Sequence, residues 1–109
     1  MTPRGGQILQ VPVRDGWLHA VLTLPADARA ALLVLPPFFH EWQRSYRMFA
    51  LLADQLSRRG VATLRFDYRG TGDSSGADVD FLPGRALEDA HVAFEALATR
   101  TKAPITLLG

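Results

Sequence analysis

The sequence predicts an α/β fold: an antiparallel hairpin at one edge of a sheet, followed by β-α-β-α-β with parallel strands. Three observations carry this reading. Residues 7 to 24 alternate with a two-residue period on either side of an Asp15-Gly16 turn signal. Two later stretches, centred near residues 52 and 92, switch to helical spacing. Three short apolar runs, Ala31 to Leu35, Val61 to Tyr68 and Ile105 to Leu108, are interleaved with those helices. Strands joined through helices of this length must run parallel, with right-handed crossovers.

Gln7 to Val13 reads as a strand with one edge open to water, because Pro12 cannot donate to a ladder. Asp15-Gly16 suits a two-residue hairpin turn, whose central positions need positive φ. Trp17 to Leu24 is the return strand, with Leu18, Ala20, Leu22 and Leu24 on one face, and Pro25-Ala26-Asp27 ends it. Ala31 to Leu35 is apolar on both faces, as in a strand covered by helices on each side. The first helix runs from Tyr46 to Arg59. Tyr46, Phe49, Leu52, Ala53 and Leu56 form its stripe, which Met48 and Leu51 widen. Ser45 is its expected N-cap, Arg58-Arg59 suit its negative end, and Gly60 fits the left-handed position beyond it.

Val61 to Tyr68 is the central strand, and Arg69 to Gly76 is a turn-forming loop with three glycines, Gly70, Gly72 and Gly76. The second helix spans Gly84 to Arg100, with Leu87, Ala90, Phe94 and Leu97 at helical spacing. Pro104 precedes the last strand, Ile105 to Leu108. The expectation is of three strands side by side, their carboxyl tips sharing one rim, where ligands of such sheets bind.

At 109 residues with 48% apolar and 21% charged residues, the chain is one domain of ordinary globular composition. A net charge of +1 gives no reason to expect nucleic acid or an anionic membrane as partner. With no cysteine, thiol nucleophiles, disulfides and thiolate metal sites are excluded. No apolar run reaches the ~20 residues of a membrane span. The first residues lack a signal peptide's apolar core, and a cytoplasmic location is the simple reading.

The glycine loop has two chemical readings besides a tight turn. Gly70-Thr71-Gly72 begins like a dinucleotide fingerprint, but the third glycine is wrongly spaced and no helix opens at once. Gly72-Asp73-Ser74-Ser75-Gly76 matches the G-x-S-x-G of serine hydrolases, yet that serine must sit where a strand turns sharply into a helix. Here the strand has already ended and the next helix is far away. Ser74 is therefore read as a loop hydroxyl bonding nearby backbone. Ile105-Thr106-Leu107-Leu108-Gly109 suits the strand leading into such an elbow better, with Gly109 as its first glycine.

From Leu32 to Gly109 the sequence resembles the α/β-hydrolase superfamily, in its serine aminopeptidase and monoacylglycerol-lipase-like branch. It is similar to bacterial hydrolases that accompany exosortase systems. The residues that carry this are Arg65-Phe66-Asp67-Tyr68-Arg69-Gly70-Thr71-Gly72-Asp73-Ser74, the helix ending in Gly60, and Asp89 within the second helix. The resemblance implies a partial α/β-hydrolase fold, its N-terminal portion, with the nucleophile falling just after Gly109 and the acid and histidine later still. The family's His-Gly after the first parallel strand is replaced by Pro37-Phe38. That makes the Phe39 N–H the oxyanion donor, with Phe38 and His40 beside it; the alternative is that Phe38 and Phe39 cap the core. Glu41, Arg69, Gly70, Gly72 and Ser74 would form the active-site rim.

Of the remaining histidines, His19 points to solvent and His91 sits at the margin of the second helix's stripe as a core histidine. No metal cluster and no cofactor is expected. The resemblance implies a small-molecule acyl substrate (an ester, amide or thioester) once the fold is completed, and no catalysis by this chain alone. The alternative is a short non-catalytic binding module that uses the half-fold. An uncharged final strand also predicts self-association through an open edge.

Overall fold

The computed structural model describes residues 6–14, 16–35, 41–68, 74 and 83–108, with side chains from residue 47 in the first helix and from residue 85 in the second. In chain order the elements are β1 (Gln7–Val13), β2 (Gly16–Thr23), β3 (Ala30–Val34), α1 (Glu41–Ser57), β4 (Val61–Phe66), α2 (Pro83–Ala98) and β5 (Ile105–Leu108). The strands form one sheet in the order β1-β2-β4-β3-β5. β1 with β2 and β2 with β4 are antiparallel, whereas β3 runs parallel to both β4 and β5.

The fold class is the predicted one, and β4 is the middle strand of five. The three parallel strands lie side by side, with β3 between β4 and β5. Several boundaries shift. The hairpin closes with Val13 opposite Gly16, so Gly16 already belongs to β2; Asp15 lies outside the described residues. α1 begins at Glu41, which puts Ser45 inside the helix instead of at its cap.

The end of α1 follows local chemistry. Arg59 N–H donates to the Leu56 carbonyl and Gly60 N–H to that of Ser57, and Gly60 takes φ of 80°. The Arg29 guanidinium donates from Nε to the Arg59 carbonyl at 3.0 Å, which places positive charge at the helix's negative end. Arg29 N–H also bonds the Gly60 carbonyl at 2.9 Å, tying the entry of β3 to the exit of α1.

Strand alternation divides the core in two. Leu18, Ala20 and Leu22 of β2, Ala62, Leu64 and Phe66 of β4, and Ala31 and Leu33 of β3 are buried together under α2. On α2 the residues that meet them are Ala86, Ala93, Ala96 and the fully buried Leu97. The opposite alternation, Val21, Thr23, Thr63 and Val34, faces the side on which α1 packs over β4 and β2. There Ala53 is buried and Phe49, Leu52 and Leu56 are half-buried.

Both predicted helix stripes need correction. Met48 and Leu51 are exposed and do not widen the α1 contact. On α2 the buried positions are Ala86, Asp89, Ala93, Ala96 and Leu97, while Leu87 is 77% exposed and Phe94 is also exposed. Leu24 lies past the end of β2 and is exposed too.

Candidate functional site at the carboxyl ends of the strands

The parallel strands end at one level. Val34 is in register with Arg65 on one side and Leu108 on the other, and Leu35 N–H donates to the Leu108 carbonyl at 2.8 Å. The sheet's carboxyl rim therefore passes from Asp67 and Tyr68, across Leu35, to Leu108.

Ser74 is anchored at this rim by its side chain. Ala20 pairs with Phe66, so the next facing pair in the antiparallel ladder is His19 with Asp67. Asp67 N–H does donate to the His19 carbonyl, at 2.9 Å. His19 N–H donates to Ser74 Oγ at 2.7 Å, and Ser74 Oγ donates to the Asp67 carbonyl at 2.5 Å. One hydroxyl is thus inserted into the ladder where β2 and β4 part. Ser74 is 7% exposed. Its proton goes to a backbone carbonyl and not to a base, which is the opposite of what an activated nucleophile needs.

Tyr68 and Asp89 form the second feature of the rim. Tyr68 follows β4 on the α2 side, buried, with its ring edge-on to Phe66 at 5.2 Å between centroids and 84° between planes. Asp89 comes from α2 and is 1% exposed. Burial raises the Tyr68 phenol above its ordinary value of 10.0, and the charge on Asp89 raises it further. Both effects keep the phenol protonated and able to donate.

Comparison with solved structures then decides the architecture. The chain is similar to a hydrolase from Agrobacterium vitis, at 28% identity over 84% of this chain and 36% of that one, with a TM-score of 0.64. It is similar to Est1E from Butyrivibrio proteoclasticus, a structure with ferulic acid bound (23% identity, 93% and 41% covered, TM-score 0.72). A soluble variant of monoglyceride lipase from Saccharomyces cerevisiae, in complex with a substrate analog, superposes with a TM-score of 0.76 at 16% identity, over 94% and 34%. This is part of the α/β-hydrolase fold. The chain spans between a third and a half of the length of those hydrolases. No protein-family model matches the sequence, and no curated protein matches it significantly.

Within the α/β-hydrolase frame, the predicted site residues divide sharply. Ser74 is the one whose side chain is described, and it is seated as a backbone anchor. Glu41 is described as the first residue of α1, without its side chain. Phe38, Phe39 and His40 of the oxyanion loop, Arg69, Gly70 and Gly72 of the rim, and Gly109 lie outside the described residues.

The histidines differ from expectation. His91 is a surface residue, with Nε2 3.5 Å from Glu95 one turn along α2, and not a core histidine. His19 is half-buried, and its backbone is what holds Ser74. Among the described residues no group of His, Asp and Glu could hold a metal ion. None of the described helices is long and apolar enough to cross a membrane.

Sequence reasoning undervalued two residues. A carboxylate at the buried helical spacing of Ala86, Asp89 and Ala93 was the legible sign that α2 carries a polar task at its contact face. The Tyr68 phenol gave no such sign, because an aromatic at a strand end reads as core.

Proposed function

We propose that this chain is the N-terminal portion of a cytoplasmic serine hydrolase. The complete enzyme would transfer the acyl group of an ester, amide or thioester to water through a covalent serine intermediate, with no cofactor. The carrying observation is the shared row of Arg65, Val34 and Leu108, which brings the ends of all three parallel strands to one rim. In such sheets substrate binds outside that rim. The Phe39 N–H, next to Phe38 and His40, would donate to the oxyanion. The nucleophile would stand just beyond Gly109, and Glu41, Arg69, Gly70 and Gly72 would line the approach.

The occupied hydroxyl of Ser74 supports the further statement that these 109 residues are inert alone. Purified protein is expected to release no p-nitrophenol from p-nitrophenyl acetate above the buffer rate, with Ser74→Ala equally silent. Turnover that Ser74→Ala abolishes would overturn the proposal and restore the internal G-x-S-x-G.

A second reading is a non-catalytic module that uses the half-fold to bind a partner. The DNA after codon 109 separates the two. An in-frame x-Ser-x-Gly supports the hydrolase, and an immediate stop codon supports the module.

A further inference from the structure

The central strand keeps its alternation beyond its last paired residues. Its final partner in β3 faces Arg65, and its final partner in β2 faces Phe66. Yet Leu64, Phe66 and Tyr68 all belong to the core under α2, so Asp67 between them takes the α1 side. Asp67 is 2% exposed and Tyr68 6%. One short strand end thus carries a buried carboxyl group on one face and a buried phenol on the other. A slip of one residue would exchange the two faces, and a buried carboxylate displaced from its partners is costly. The path of the backbone at Asp67 and Tyr68 therefore has to be fixed.

Three bonds meet at that point. Asp67 N–H donates to the His19 carbonyl at 2.9 Å, His19 N–H to Ser74 Oγ at 2.7 Å, and Ser74 Oγ to the Asp67 carbonyl at 2.5 Å. The last two bonds ask one side-chain atom to accept from an N–H and donate to a carbonyl at the same time. A hydroxyl is the smallest side-chain group that does both. Ser74 brings it from seven positions along the chain and is itself buried, where water competes little for either bond.

We propose that Ser74 is a positioning residue: its hydroxyl holds the carboxyl end of β4 to β2, and so sets Asp67 on the α1 side of the rim and Tyr68 on the α2 side with Asp89. What position 74 requires is a hydroxyl as a two-way bridge, and its reactivity plays no part. The amino-terminal hairpin thereby becomes part of the frame of the rim, through the backbone of His19. Calling that rim a substrate site rests on the proposed hydrolase, whereas the bridge can be tested without turnover, so either can fail alone.

The test uses the 109-residue chain with Tyr46→Phe as background, which leaves Tyr68 as its one phenol. Ser74→Ala should cost the His19 amide roughly tenfold in exchange protection, the worth of one lost hydrogen bond. It should also move the Tyr68 phenolate midpoint down toward that of free tyrosine, because the strand end is no longer held in its buried course. Ser74→Cys keeps the shape but has only a weak donor, and is expected to follow Ser74→Ala in both readouts. Ser74→Thr keeps the hydroxyl and should retain both. Ala53→Gly, on the far helix, lowers stability and should leave the midpoint where it was. The proposal is overturned if Ser74→Ala changes neither readout, if Ser74→Cys retains both, if Ser74→Thr loses both, or if Ala53→Gly lowers the midpoint as far as Ser74→Ala does.

Discussion

On the α2 side of the sheet, Leu22, Leu64 and Leu33 lie in one row beneath a helix that meets them with alanines and Leu97. On the α1 side the same strands present Thr23, Thr63 and half-buried Arg65. Among the described residues of α1, Ala53 alone is fully buried. The first face is dry and closely packed until it reaches the rim, where Asp89 and Tyr68 introduce a carboxylate and a phenol. The second carries polar atoms at the middle of the sheet. The contrast teaches that polar groups are not spread evenly over the strands: among the described residues, the α2 face keeps them at the rim, while the α1 face carries them at the middle of the sheet.

The largest expected effect tests the dry face. Leu64 is fully buried between Leu22 and Leu33, and Leu64→Ala should destabilise the protein by about 2–5 kcal/mol, read from denaturant unfolding. A loss below about 1 kcal/mol would mean that the leucine row does not carry the core.

A smaller effect belongs to the polar end of the same face. The folded Tyr68 phenol keeps its proton to higher pH than an unfolded one, first through burial and then through Asp89. The folded state therefore binds more protons in that window. Stability should be flat below the unfolded value near pH 10 and fall as pH rises through the folded value. With Tyr46→Phe as background, phenolate absorbance reports Tyr68 alone, since the chain has two tyrosines. Its midpoint should lie above that of free tyrosine and drop on Asp89→Asn. A midpoint at or below the free value would remove the electrostatic part of the contrast.

The smallest effect tests the other face, and its sign is reversed. Thr63 Oγ1 is buried with no hydrogen-bond partner among the described residues. Thr63→Val replaces that hydroxyl by a methyl of similar size and should stabilise by about 1 kcal/mol. Destabilisation would show that the hydroxyl is satisfied and that the two faces are more alike than described.

Most of the architecture was legible because strands and helices announce themselves by period and by their ends. Gly60 with positive φ, the pairing of β1 with β2 and the parallel run of β3, β4 and β5 follow directly from local signals. Helix orientation was less legible. Leu87 and Phe94 share a spacing with Leu97, yet of the three Leu97 alone is buried, beside Ala86, Ala93 and Ala96. Periodicity finds an apolar arc but not its centre. The place of β5 beside β3 was illegible for a different reason, since chain order does not state which earlier strand a crossover returns to. At the rim, the backbone-bonding role of Ser74 was readable from its residue type and loop context. Its partner His19, far away in sequence, was not.

That distance has a kinetic meaning. The hydroxyl bridge spans 55 positions from His19 to Ser74, so the bend after β4 has no seat until the amino-terminal hairpin has docked. Non-local closures of this kind come late, after local helices and turns. The rim is thus expected to be among the last parts to set during refolding, and a chain shortened at its amino end would keep its helices while losing the shape of that loop's anchor.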